Sequence, residues 1–229
     1  MSIVIAIDGP SGSGKSTLSR RLAAHYGLQY LDTGSMYRVV TVWCMDQGID
    51  LDDQEAVARA AREMPLDMVT DPAGPRVILG GVDVTDRLHT GEVSTVVSTV
   101  AVNLAVRAEL RDRQRAIIDA ETTAGRSGGR GIVAEGRDIT TVVAPDADVR
   151  ILLIAEPGDR LARRARERHG NADTRSIEAT RDEVIRRDAQ DSTVSEFMRA
   201  DDGVVTLDNS GMEPDETFAA AIAIVESQR

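Results

Sequence analysis

Residues 3–16 constrain this 229-residue chain more than any other stretch. Ile3-Val4-Ile5-Ala6-Ile7 is a short, β-branched apolar run, the pattern of a strand buried on both faces. It runs into Gly9-Pro10-Ser11-Gly12-Ser13-Gly14-Lys15-Ser16-Thr17, which contains G-x-x-x-x-G-K-S, the Walker A signature. Leu18, Leu22 and Tyr26 then recur every four residues, and Gly27 supplies a helix stop. Strand, glycine loop and helix in that order make a cradle of backbone N–H groups for a phosphate at a helix N-terminus. Lys15 is the only lysine among 27 basic residues. An otherwise arginine-only chain keeps its one ammonium group at the position that reaches the β- and γ-phosphates of a nucleotide. The hydroxyl of Ser16 is placed to hold Mg²⁺.

Alternation of strands and helices continues along the chain. Residues 29–32, 131–135, 149–154 and 203–208 read as further buried strands. Helical patterns are predicted over about 36–48, 107–121, 158–168 and 176–188, and from Pro214 onward. The reading is an α/β fold with a parallel five-stranded sheet flanked by helices. One region departs from it. Short strand-like pieces at 66–69, 76–79 and 82–84, separated by Asp71-Pro72-Ala73-Gly74-Pro75 and Gly80-Gly81, predict a small antiparallel insertion.

A net charge of −11 argues against general binding to nucleic acid or to anionic membranes. Cys44 is the only cysteine, which suits a reducing, cytoplasmic setting. His25, His89 and His169 lack metal-ligand spacing. We expect a monomer.

Three other clusters bear on chemistry, each with a plainer alternative. Asp32-Thr33-Gly34-Ser35-Met36-Tyr37-Arg38 leaves the second strand and enters a helix. It places a hydroxyl and a guanidinium at the sheet edge where ligands gather, or it only caps the helix. Glu135-Gly136-Arg137-Asp138 follows an apolar strand. Glu135 would hold Mg²⁺ through water and Arg137 would grip a phosphate with its planar fork; the alternative is a surface ion pair. Arg186-Arg187-Asp188-Ala189-Gln190-Asp191 reads in isolation as a solvated helix face.

Together, in this order, these motifs and Asp83-Val84-Thr85 resemble the bacterial cytidylate (CMP) kinases of the nucleoside monophosphate kinase family. The resemblance covers nearly the whole chain. It implies a P-loop core at 1–34 and 105–229, a lid at about 156–172, and an acceptor-binding region at 35–104 carrying the insertion at about 64–86. It also implies transfer of the ATP γ-phosphoryl group to CMP or dCMP with Mg²⁺. Thr33, Arg107 and Asp138 would read cytosine. Ser98, Arg187 and Asp191 would contact the ribose. Arg38 and Arg137 would clamp the acceptor phosphate and act with Lys15 in catalysis. Gly9 to Thr17 and Arg160 would hold ATP, with Arg163 and Arg164 in the same lid segment. The chain departs from the family pattern in three places. An arginine usual after Asp-Ser-Thr is missing beyond Thr193, with Arg199 as a possible substitute. His89 stands for an arginine, and Leu104 for a proline. Acceptors such as UMP or shikimate, and a nucleotide-binding protein with weakened catalysis, remain as alternatives.

Overall fold

A computed structural model of the chain describes residues 2–228, the side chain of Glu183 excepted. Met1 and Arg229, the outermost residues of the expected core, lie outside that range. β1 (Ile3–Asp8) is buried along its whole length because it is the central strand. β6 (Gly131–Gly136) pairs with it on one side and β7 (Val149–Ile154) on the other, both parallel. β2 (Gln29–Asp32) and β8 (Val205–Asp208) complete a five-stranded parallel sheet in the order β2-β6-β1-β7-β8.

Alternation along β1 sends its side chains to two cores. Ile3, Ile5 and Ile7 pack with Leu18, Leu22 and Ala23 of α1 (Lys15–Tyr26) and with Ala221 and Val225 of α8 (Pro214–Ser227). Val4 and Ala6 face the opposite layer. There Val39 and Val40 of α2 (Thr33–Asp46), Val57 of α3 (Gln54–Glu63), and Val106 and Leu110 of α5 (Leu104–Thr123) meet. The expected insertion is a three-stranded antiparallel sheet of β3 (Leu66–Val69), β4 (Arg76–Leu79) and β5 (Val82–Asp83).

Several boundaries differ from the sequence expectation. α2 begins at Thr33 rather than near Met36, because Asp32 caps it by accepting from the Ser35 N–H at 3.2 Å. β8 begins at Val205 rather than Gly203; Gly203 lies in a left-handed turn at φ +75°. α3, α4 (Gly91–Ala101) and a wide helical turn at Ile139–Val143 were not foreseen. α6 (Pro157–His169) ends at Gly170, and α7 (Thr174–Asp191) starts on an Asp173 cap. α7 then returns to the carboxyl edge of the sheet. No single helix among the described residues is long and apolar enough to cross a membrane.

Candidate active site

The glycine loop occupies residues 9–14 between β1 and α1. It is packed directly on α6: a Cβ at Gly12, where φ is +76°, would lie 2.4 Å from the Arg160 carbonyl oxygen. A cavity of about 640 Å³ opens above it. Ser11, Gly12, Gly14, Lys15, Ser16 and Thr17 line that cavity. Gly9, Pro10 and Ser13 do not. The Lys15 ammonium donates to the Gly9 carbonyl at 2.7 Å and the Pro10 carbonyl at 2.9 Å. Burial, helped by the nearby Arg137 cation, pushes its pKa down to about 8.

Asp32 and Glu135 stand side by side at the ends of β2 and β6, in register. Both line the cavity with Ser16. Burial first, and then the Asp32 charge, push the Glu135 carboxyl up to about 7, although Tyr30 donates to it at 2.6 Å. Two oxygen-bearing acids next to a hydroxyl suit a hard divalent cation. Among the described residues no set of three or more His, Cys, Asp or Glu side chains could hold a metal. A hydroxyl with one or two carboxylates is a donor set that fits Mg²⁺, which completes its shell with substrate phosphates and water.

A second, small cavity of about 50 Å³ adjoins the first. Its walls bring together Thr33, Ser98, Arg107, Arg137, Asp138, Arg187 and Asp191 from five separate segments. Arg107 and Asp138 form an ion pair, and Arg107 also donates to the Ala101 carbonyl at 3.2 Å. Thr33 donates to the Glu135 carbonyl at 2.7 Å. Burial raises the Asp138 carboxyl against the pull of Arg107. Gly34, Gly136, Arg137 and Arg187 line both cavities, so the two adjoin. Only glycine fits at 136: a Cβ there would meet the Thr33 hydroxyl at 2.5 Å.

Cations concentrate where the cavities adjoin. Arg38 is buried in α2 and donates to the Leu88 carbonyl at 2.7 Å and the Ser94 hydroxyl at 3.0 Å. Burial and then Arg187 and Arg164 pull its pKa below the usual guanidinium value, though it stays a cation at neutral pH. Burial and then Arg137 do the same to Arg187. His89 lines the large cavity beside Arg38 and is held below its usual pKa by burial and by that cation.

Arg160 takes a different place from the one expected. It is buried beneath the loop, donating to the Ser11 carbonyl and to Asp188, and does not line the cavity. Arg163, Arg164 and Arg166 line it instead. Arg199 is exposed and lines neither cavity. Phe197, on the same loop, does reach the site. Its ring lies 4.4 Å from the Arg137 guanidinium. The sequence reading also gave no part to Tyr37 and Ser195, which line the small cavity, or to Asn209, which donates to the Ser13 carbonyl at 3.0 Å.

A family model for cytidylate kinase matches residues 5–227. The chain belongs to the cytidylate kinase family. A cytidylate kinase of Streptomyces coelicolor is 43% identical over 229 residues, covering 99% of this chain and 94% of that one. One from Cutibacterium acnes is 43% identical over 225 residues, covering 97% and 96%. A solved sugar kinase from Janibacter sp. HTCC2649 has a TM-score of 0.51 at 14% identity, covering 99% of this chain and 95% of that one, a likeness of fold alone.

Proposed function

We propose that this chain transfers the terminal phosphoryl group of ATP to CMP or dCMP, giving ADP and CDP or dCDP. The observation that carries this reading is the shared wall of the two cavities. The large one holds the phosphate loop, and the small one gathers Thr33, Ser98, Arg107, Asp138 and Asp191. Arg137 and Arg187 stand between them.

In this reading the loop N–H groups and Lys15 hold the ATP phosphates. Ser16, Asp32 and Glu135 would hold Mg²⁺, whose charge neutralises the nucleotide phosphates when it is bound. Arg38 and Arg137 clamp the acceptor phosphate and offset charge on the group in flight, while Ser98, Arg187 and Asp191 contact the ribose. Phosphoryl transfer of this kind needs positioning and electrostatics, not a covalent nucleophile, and the acceptor is already an anion. Asp138 accepts from the cytosine amino group and Arg107 donates to the ring nitrogen and carbonyl. Uracil would turn a carbonyl toward the Asp138 carboxylate, which favours CMP over UMP. Residues 35–104 form the acceptor-binding region. α6 and the turn that follows it act as the lid, bringing Arg163, Arg164 and Arg166 over the phosphates and excluding water, a competing acceptor.

The test is ADP release measured with CMP, dCMP, UMP, AMP, GMP and shikimate as acceptors. CMP and dCMP should give kcat/KM values well above the rest. Preference for another acceptor, or no turnover with any, would overturn the reading.

A further inference from the structure

One carboxylate ties together three parts of the site without lining either cavity. Asp188 sits in the last turns of α7 with a side chain 12% exposed. Its Oδ1 accepts from the Ser11 backbone N–H at 3.1 Å and from Arg137 Nη2 at 3.2 Å. Its Oδ2 accepts from Arg160 Nη1. The same Arg160 nitrogen donates to the Ser11 carbonyl at 3.0 Å. Ser11 is therefore held at both its N–H and its C=O, and Gly12 beside it rests on the backbone of α6.

Arg137 is held with equal completeness. Its Nε donates to Asp191 at 3.0 Å, its Nη1 donates to the Gly9 carbonyl, and its face lies over Phe197. Asp188 supplies the remaining edge. A single anion thus faces two guanidinium groups and one loop N–H. Charge-assisted bonds of this kind are roughly twice as strong as neutral ones and are directional.

We propose that Asp188 is a positioning residue that locks the phosphate loop, the first turn of α6 and Arg137 into one arrangement, and that it acts through its charge. The proposal rests on the kinase reading above. Asp188 itself lines neither cavity, so its effect passes through Arg137 and Ser11, which do. The base-reading residues Thr33, Arg107 and Asp138 have no hydrogen bond to it.

Asp188→Asn keeps the size and removes the charge. With CMP as acceptor, kcat should fall about 10- to 100-fold, the scale of a small misplacement of a catalytic group. KM for CMP should rise by a smaller factor than kcat falls, because Arg137 grips the CMP phosphate while the base-reading residues keep their own partners. Arg160→Met cuts the same junction from the other side and should also lower kcat. The double variant should be no worse than the poorer single, as expected for groups that act as one unit. Affinity for a fluorescent ATP analogue, titrated without acceptor, should drop several-fold in each. A thermal melt confirms that each variant is folded, and Arg160→Met carries the test if Asp188→Asn is not. Unchanged kcat, unchanged analogue affinity, or losses that multiply in the double variant would overturn the proposal. Failure of the kinase reading shows separately, in the wild-type acceptor panel, and the analogue titration then decides the role of Asp188 alone.

Discussion

Lys15 and Glu135 are a cation and an anion whose charged forms are both disfavoured by the same enclosed space. Glu135 is raised from its usual 4.5 to about 7. Its unfolded form ionises near the usual value while the folded form still holds the proton. Stability therefore falls as pH rises from about 4.5 to about 7 and is level above that. Glu135→Gln has no such proton. Its melting temperature should gain on the wild type as pH rises between about 5 and 7.5, measured without nucleotide or metal. A gap that stays constant with pH would show that burial does not strain this carboxylate. Asp138 offers a test of base reading. Asp138→Ala leaves Arg107 with an unmatched edge and removes the acceptor for the cytosine amino group. The ratio of kcat/KM for CMP over UMP should shrink by roughly 1–3 kcal/mol, about 5- to 150-fold. An unchanged ratio would assign base choice to other residues. These two carboxylates were legible because each sits in a short motif directly after an apolar strand. Asp188 and Phe197 were not. Their roles depend on how α7 and the loop after it fold back over Arg137, which no local spacing encodes.

The elements divide in the same way. α1 announced itself by a four-residue repeat and a terminal glycine, both of which the structure uses. α4 did not. Val93, Val97 and Val100 form its buried stripe, but the β-branched run around them carries little helix preference, and packing between α2 and α7 decides the outcome. α3 shows only Val57 and alanines toward the core, a stripe too faint to read beside its charged face. The arginines of α6 show the limit at finer grain. Arg160 and Arg163 lie one turn apart on the same side of the helix, and their place along its axis decides which is buried under the loop and which lines the cavity. The start of α5 yields a prediction of its own. Asn103 caps it by accepting from Ala105 N–H at 3.0 Å and Val106 N–H at 3.2 Å. Leu104, the first helical residue, is 72% exposed. Proline is well suited to a first helical position, and the extended backbone of Asn103 is compatible with a following proline. Leu104→Pro should therefore stabilise the fold by about 0.4–1 kcal/mol through the unfolded chain. Urea denaturation measures it, and a loss of stability would mean that the leucine side chain makes a contact that matters.

Across the whole molecule, the sheet order explains why so few residues are needed. In a parallel sheet every strand delivers its carboxyl end to the same edge. β1 ends in the phosphate loop, β2 in Asp32 and Thr33, β6 in Glu135 to Asp138, and β8 in the Asn209 loop. The exterior is acidic, while the cleft is lined by Arg38, Arg137, Arg163, Arg164, Arg166 and Arg187. That contrast draws nucleotide phosphates toward one place on a surface that otherwise repels them. The composition carries a practical consequence as well. A protein with one lysine, whose amine is lowered to about 8, offers a single side-chain amine to acylating chemistry. At pH 8 roughly half of Lys15 is the neutral nucleophile, against well under ~1% of an ordinary lysine. Brief treatment with a small acetylating reagent should therefore add one group to the chain beyond the terminal amine. ATP with Mg²⁺ should suppress that addition, and intact-mass spectrometry would read it directly as an active-site titration. Slow labelling that ignores nucleotide would mean that the amine stays locked on the Gly9 and Pro10 carbonyls.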